Sequence, residues 1–150
     1  MEIITRKFNE LTREEMYNIF RLRSEVFVVE QNCVYNDLDG KDKDAIHIFA
    51  KENGRIVAYI RTFVRQDGSA SFGRVCVSKD HRRSGLGKKI VAEGIRCICE
   101  NYDHKKIHNR IMIEAQEYLR GFYESFGFRK TSETYLEDGI PHIDMQMDLN

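Results

Sequence analysis

Apolar positions change their period several times along this 150-residue chain, and each change marks an element. After a short N-terminal strand, Met16, Ile19, Phe20 and Phe27 recur at helical spacing. The helix they predict opens at Thr12 and runs to about Val29. Its start is a capping box, Thr12-x-x-Glu15, in which each side chain satisfies a backbone N–H that the first turn leaves free. The polar stretch Asn36–Asp44 reads as a loop. Strand-like segments follow at Ala45–Ala50 and Arg55–Arg65, joined by Glu52-Asn53-Gly54. Asn-Gly favours a tight hairpin because both residues tolerate positive φ. Gln66-Asp67-Gly68 is a further turn, and Ser71–Ser78 a further strand.

Helical period returns from Gly85 to about Glu100, with Leu86, Ile90, Val91, Ile95 and Ile98 on one face and Gly94 as a weak point. Arg110–Ala115 reads as a strand, and Gln116–Phe126 as an amphipathic helix with Leu119, Phe122 and Phe126 inward. Two last strands, Arg129–Leu136 and His142–Leu149, flank the turn Glu137-Asp138-Gly139-Ile140-Pro141. The order β-α-β-β-β-α-β-α-β-β predicts an α/β fold with an antiparallel hairpin region feeding a helix-bearing centre. There are no repeats, low-complexity tracts or linkers, so residues 1–150 are read as one domain.

Charge narrows the function classes. The 24 basic and 24 acidic residues cancel, so no net field draws the chain to nucleic acid or an anionic membrane. No signal-like or membrane-length apolar run occurs, and the expectation is a cytoplasmic protein, monomer or homodimer. Cys33, Cys76, Cys97 and Cys99 are then expected as reduced thiols. Cys97 and Cys99, with His104 and His108 after them, hint at a metal site. Two positions apart on a helix they point to nearly opposite faces, and no metal is expected.

The local exception to this balance is Val75-Cys76-Val77-Ser78-Lys79-Asp80-His81-Arg82-Arg83-Ser84-Gly85-Leu86-Gly87-Lys88. A buried strand runs into a basic, glycine-containing turn that opens a helix. Helix N-termini carry unpaired N–H groups and partial positive charge, so they bind phosphate. Gly85 and Gly87 let oxygens approach the backbone, and Arg82, Arg83 and Lys88 add charge where a pyrophosphate would lie. A solvated basic turn is the plain alternative, but cations at a helix start oppose its dipole and favour a bound anion as compensation.

Arg82-x-x-Gly85-x-Gly87, after a strand and before a helix, resembles the acyl-CoA pyrophosphate loop of the GNAT superfamily of N-acetyltransferases. Phe122-Tyr123-Glu124-Ser125-Phe126-Gly127-Phe128 resembles the second signature of that family, and the element order matches its fold, a mixed, mostly antiparallel sheet flanked by helices. A closer likeness, to the ElaA-like branch, rests on Leu22-Arg23, Val26-Phe27-Val28-Val29-Glu30-Gln31, Asp39-Gly40-Lys41-Asp42, Ala115-Gln116, Phe122-Tyr123 and Tyr135 through Ile143. Gln116 stands where the superfamily often has Asn, and the resemblance gives its amide a hydrogen bond to pantetheine.

What the resemblance implies is acetyl transfer from acetyl-CoA to an amine by direct attack; a non-catalytic acyl-CoA sensor is the alternative. An alkylammonium of pKa ~10.4 lies about 3.4 units above neutrality, so deprotonating it costs roughly 4.6 kcal/mol and a base is expected. Tyr123 takes the family's general-acid position, and backbone groups of Val75, Cys76 and Val77 pair with pantetheine and polarise the thioester. Glu30, beside Gln31, is the first candidate base, with His47 and His142 as rivals, and these four are the expected acceptor-side residues. Cys76 is open to two readings, a nucleophile or a core thiol.

Overall fold

Thr12 opens the first helix as its capping box requires: Glu15 N–H donates to Thr12 Oγ1 and Thr12 N–H to Glu15 Oε1, both at 3.0 Å. The computed structural model describes all 150 residues, Met1–Asn150. Its elements are β1 (Glu2–Lys7), α1 (Arg13–Arg23), β2 (Ile46–Glu52), β3 (Arg55–Val64), β4 (Ala70–Val77), α2 (Leu86–Asn101), β5 (Arg110–Gln116), α3 (Arg120–Glu124), β6 (Arg129–Lys130), β7 (Tyr135–Glu137) and β8 (Ile140–Asp148). The sheet order is β1-β2-β3-β4-β5-β8-β6, with β7 also on β8. Every pairing is antiparallel except β4 with β5. This is the mixed, mostly antiparallel α/β sheet with flanking helices that the resemblance implies.

Period-two patterning sorts the core onto two faces. Ile48, Ala50, Ala58 and Ile60 pack with α2 in the larger cluster, whereas Phe49 and Tyr59, between them in sequence, pack with Ile19 and Leu22 of α1. Asn53 and Gly54, at φ 49° and 78°, form the expected two-residue hairpin between Glu52 and Arg55.

Three boundaries differ from the periodic reading. The α-helix ends at Arg23, and Ser24–Glu30 continues as a π-helical turn, so Val29 is 73% exposed and off the apolar stripe. Gln116 ends β5; a 3₁₀ turn, Glu117–Leu119, and the five-residue α3 replace the expected longer helix, with Tyr123 and not Phe122 or Phe126 as its buried residue. The expected strand Arg129–Leu136 splits into β6 and β7, because the Ser132 hydroxyl accepts from Asp144 N–H at 2.8 Å in place of a backbone carbonyl.

Gly94, expected to weaken α2, sits where that helix touches the sheet: a Cβ there would lie 2.6 Å from Ile60 Cδ1. Gly94→Val is therefore expected to destabilise the fold by about 1–3 kcal/mol through overpacking. An unchanged midpoint in urea would show that α2 can stand off the sheet.

Candidate active site

β4 and β5 are bridged at Ala70 and Ile111 and then part. The cause is a bulge in β4. Tyr59 pairs with Cys76 and Arg61 with Gly73, so Ile60 faces both Arg74 and Val75, and Arg74 takes a left-handed φ of 51°. The bent strand leaves a wedge-shaped cavity of about 1570 Å³. Val75, Cys76 and Val77 line it from β4, and Glu114 and Gln116 from β5. Cys76 is 4% exposed, and burial pushes its thiol well above the ordinary range. It packs with Ile19, Leu22, Phe49 and Tyr59 as a core thiol.

At one end of the wedge Gly85, at φ 81°, turns the chain into α2. The first intrahelical bond runs from Lys89 N–H to Gly85 O at 3.1 Å, so the N–H groups of Leu86, Gly87 and Lys88 have no helical partner. No side chain caps this end and its first turn holds no acid. The Ser84 hydroxyl donates back to His81 O at 2.6 Å, and the Leu86 side chain is buried in the core. Arg83 and Lys88 are exposed beside the helix start. A brace absent from the sequence reading holds this turn: His81 bridges the Ser78 hydroxyl (2.8 Å) and Glu52 on β2 (2.6 Å).

Arg82 behaves otherwise than expected. Its guanidinium donates to both oxygens of Glu30 at 2.7 and 2.9 Å and to Val77 O at 3.1 Å, clamping the π-helical turn to the end of β4. Hydrogen bonding and charge from Arg82 hold the Glu30 carboxyl below its ordinary range. Glu30, the first candidate base, thus stands as the ion-pair partner of Arg82 and lines the cavity beside Gln31.

Tyr123 lines the middle of the cavity and is only 6% exposed. Its ring is wedged between Phe72 and Phe128, each with centroid 6.1 Å away, and rests on the edge of Phe122 at 5.2 Å. Burial drives the phenol's pKa well up, and no hydrogen bond within the protein engages the hydroxyl.

The wall opposite is the loop after α1, fastened by a buried ion-pair network. Arg23, fully buried, donates to Asp37 at 2.9 Å and Asp42 at 2.7 Å. Arg61 reaches Asp39 at 2.6 Å and Asp42 at 3.0 Å, and Arg74 reaches Asp37 at 2.9 Å. His47 belongs to this network and not to the cavity. It is 1% exposed, with Nε2–H donating to Asp42 O at 2.9 Å and Nδ1 accepting from the Tyr59 hydroxyl at 2.6 Å. Its expected place on the acceptor side is therefore corrected. His142, the other rival, does line the cavity.

A parallel strand pair that opens over an uncapped helix start offers a long anionic thioester a backbone edge for its arm and N–H groups for its phosphates. That is the architecture of an acyl-CoA N-acyltransferase. The chain belongs to the GNAT acetyltransferase family, whose family model, described as an acetyltransferase (GNAT) domain, matches residues 8–149. Within it the chain falls in the ElaA-like branch: Escherichia coli protein ElaA is 38% identical over 141 residues, 91% of this chain and 90% of ElaA. The crystal structure of that protein superposes with a TM-score of 0.90 at 35% identity, covering 99% of this chain and 100% of ElaA. An acyl-CoA N-acyltransferase from Pseudomonas aeruginosa also gives 0.90, at 34% identity, covering 98% of this chain and 99% of that one.

The ion-pair network generates a pH prediction. Burial works against the charge on Asp39 and Asp42, but the arginines outweigh it and both folded pKa values fall below ordinary. Their contribution is thus complete above the unfolded pKa of ~3.9 and lost as pH falls through the lower folded values. Asp42→Asn, which leaves Arg23 and Arg61 short of an anion, is expected to cost about 3–5 kcal/mol at pH 7. It should also flatten the fall in stability below pH 4, as read by urea unfolding across pH.

Proposed function

We propose that this chain transfers an acetyl group from acetyl-CoA to an amine by direct attack. One observation carries the reading: a nearly buried phenol with no protein partner lines the cavity where β4 and β5 part, and the uncapped start of α2 borders the same cavity through Gly87.

In this reading the N–H groups of Leu86, Gly87 and Lys88 receive the pyrophosphate, with Arg83 and Lys88 as the mobile cations. The β5-facing edge of Val75–Val77 takes the pantetheine amides and polarises the thioester oxygen, and Gln116 reaches the same arm from β5. The amine nitrogen bonds to the carbonyl carbon, the C–S bond breaks, the departing thiolate takes the Tyr123 proton, and the proton shed by the nitrogen restores the Tyr123 phenol. A phenol whose pKa is raised by burial stays protonated until that charge develops.

Gly87→Val tests the binding half. The added Cβ would meet Val77 Cγ2 at an ordinary 3.7 Å, so the fold should tolerate it while the loop is obstructed. Saturating acetyl-CoA at 100 times its Kd is expected to stabilise the wild type by ~2.7 kcal/mol, a melting rise of about 5–10 °C, and the variant much less. An equal rise in both would remove the pyrophosphate assignment.

Tyr123→Phe tests the chemical half. Thiol release with a panel of amines is expected to fall about 10²-fold or more, with acetyl-CoA affinity nearly intact. A wild-type rate in the variant would leave Tyr123 a packing residue.

A further inference from the structure

One stretch of the cavity lining is acidic and has no part in the acyl-transfer steps proposed above. Glu114 on β5, Glu137 on β7 and Asp138 form it, together with His142 on β8. The register places Glu114 directly opposite Asp144 across β5 and β8, a juxtaposition of like charges that weakens a sheet. None of these acids pairs with a lysine or arginine, whereas Glu30 and Asp39 in the same cavity are held by Arg82 and Arg61. His142 is 8% exposed; its Nδ1–H donates to Ile140 O at 2.7 Å, and its Nε2 lies 3.4 Å from Glu137 Oε2. Tyr135 stacks on His142 and donates its hydroxyl to Asp144 at 2.6 Å, so the ring is fixed.

Acids without a basic partner and an unpartnered, nearly buried Tyr123 hydroxyl line one cavity, beside which α2 opens with exposed Arg83 and Lys88. The arrangement suits a ligand pair of opposite charge, an anionic thioester and a cationic acceptor. We propose that Glu137, with Glu114 beside it and His142 behind it, receives the acceptor as a primary alkylammonium and takes its proton. The proposal deepens the acyl-transfer reading and rests on it for the proton step. There one ammonium N–H bond breaks to Glu137, and the freed nitrogen lone pair bonds to the thioester carbon. The C–S bond breaks as the sulfur takes the Tyr123 proton, and the second N–H proton passes from the new amide nitrogen to restore the Tyr123 phenol. Partial burial, and then the charge of Glu114, raise the Glu137 carboxyl above its ordinary range, a shift moderated by solvent because its side chain is 44% exposed. The titratable groups around it are Glu114 from β5, Tyr135 and Asp138 from its own turn, and His142 from β8.

The test uses the CoA-saturated full chain, with 1,5-diaminopentane as cationic probe and 1-pentanol as its uncharged counterpart, in titration calorimetry and in thiol release with acetyl-CoA. The diamine is expected to bind and the alcohol not. Glu137→Gln should weaken diamine binding tenfold or more and remove the acidic limb of kcat/KM against pH. Glu114→Gln should weaken binding and move that limb to lower pH, because Glu137 loses a like-charged neighbour; this second variant stands if the first does not fold. A wild type that ignores the diamine, or variants that bind it unchanged with an unmoved limb, would overturn the proposal. The acyl-transfer reading fails separately. Diamine bound at Glu137 with no thiol released retires that reading and leaves the ammonium site, while thiol release with aniline alone retires the ammonium site and leaves acyl transfer.

Discussion

The parting of β4 from β5 is the constraint on which the rest of this molecule depends. A strand edge without a partner leaves backbone groups unsatisfied, and a sheet ordinarily closes such a gap. Here closure is prevented inside β4, where the bulge at Arg74 gives two residues to one of β3 and bends the strand outward. The left-handed backbone of Arg74 is unusual for a non-glycine residue. It is held from the side-chain end, because its guanidinium is tied to Asp37 and lies over the Tyr35 ring. The wedge, the free strand edge and the position of Tyr123 all follow from that bend.

The same tie joins the site to the frame. Asp37, Asp39 and Asp42 sit on one loop and meet Arg23 of α1, Arg61 of β3 and Arg74 of β4. Buried ion pairs contribute little net stability compared with an apolar replacement, since desolvation offsets most of the attraction. Their gain lies in geometry: fixed forks on rigid elements leave the loop one place to lie. That loop, with the π-helical turn before it, forms the cavity wall facing Tyr123. The overall neutrality of the chain therefore conceals a spatial sorting of charge, with arginines answered by aspartates under the loop, cations at the α2 end and unanswered acids at the β7–β8 turn.

Local devices were legible in the residues alone. The Thr12–Glu15 box, the Asn53-Gly54 hairpin and the glycine entry to α2 each depend on neighbours within a few positions, and each stands where its residues placed it. Devices that trade a backbone bond for a side-chain or distant partner were not. The π-helical turn after Arg23 keeps an apolar period close to that of an α-helix, so the pattern ran on to Val29. The split between β6 and β7 turns on one serine hydroxyl that meets Asp144, twelve positions away. Leu119, Phe122 and Phe126 read as the inward stripe of a longer helix; in a helix of five residues the facing strand and Phe128 decide the inward side, and Tyr123 is the buried one.

By itself, then, the sequence determined the class of fold, nearly the whole order of its elements and the glycine-turned start of α2, because those follow from short-range periodicity, capping and turn chemistry. Tyr123 was marked only by its likeness to the second family signature. Only the tertiary structure decided which charges are spoken for. Glu30 and His47 looked as available as His142 along the chain, yet one is bound by Arg82, fifty-two positions on, and the other is sealed beneath Asp42 and Tyr59. Glu114 and Glu137 carried no local signal, and they come together only because β5 and β7 both pair with β8. A carboxylate's chemistry is set by the charges and solvent within a few ångströms of it, and in a folded sheet those neighbours come from strands far apart in the chain.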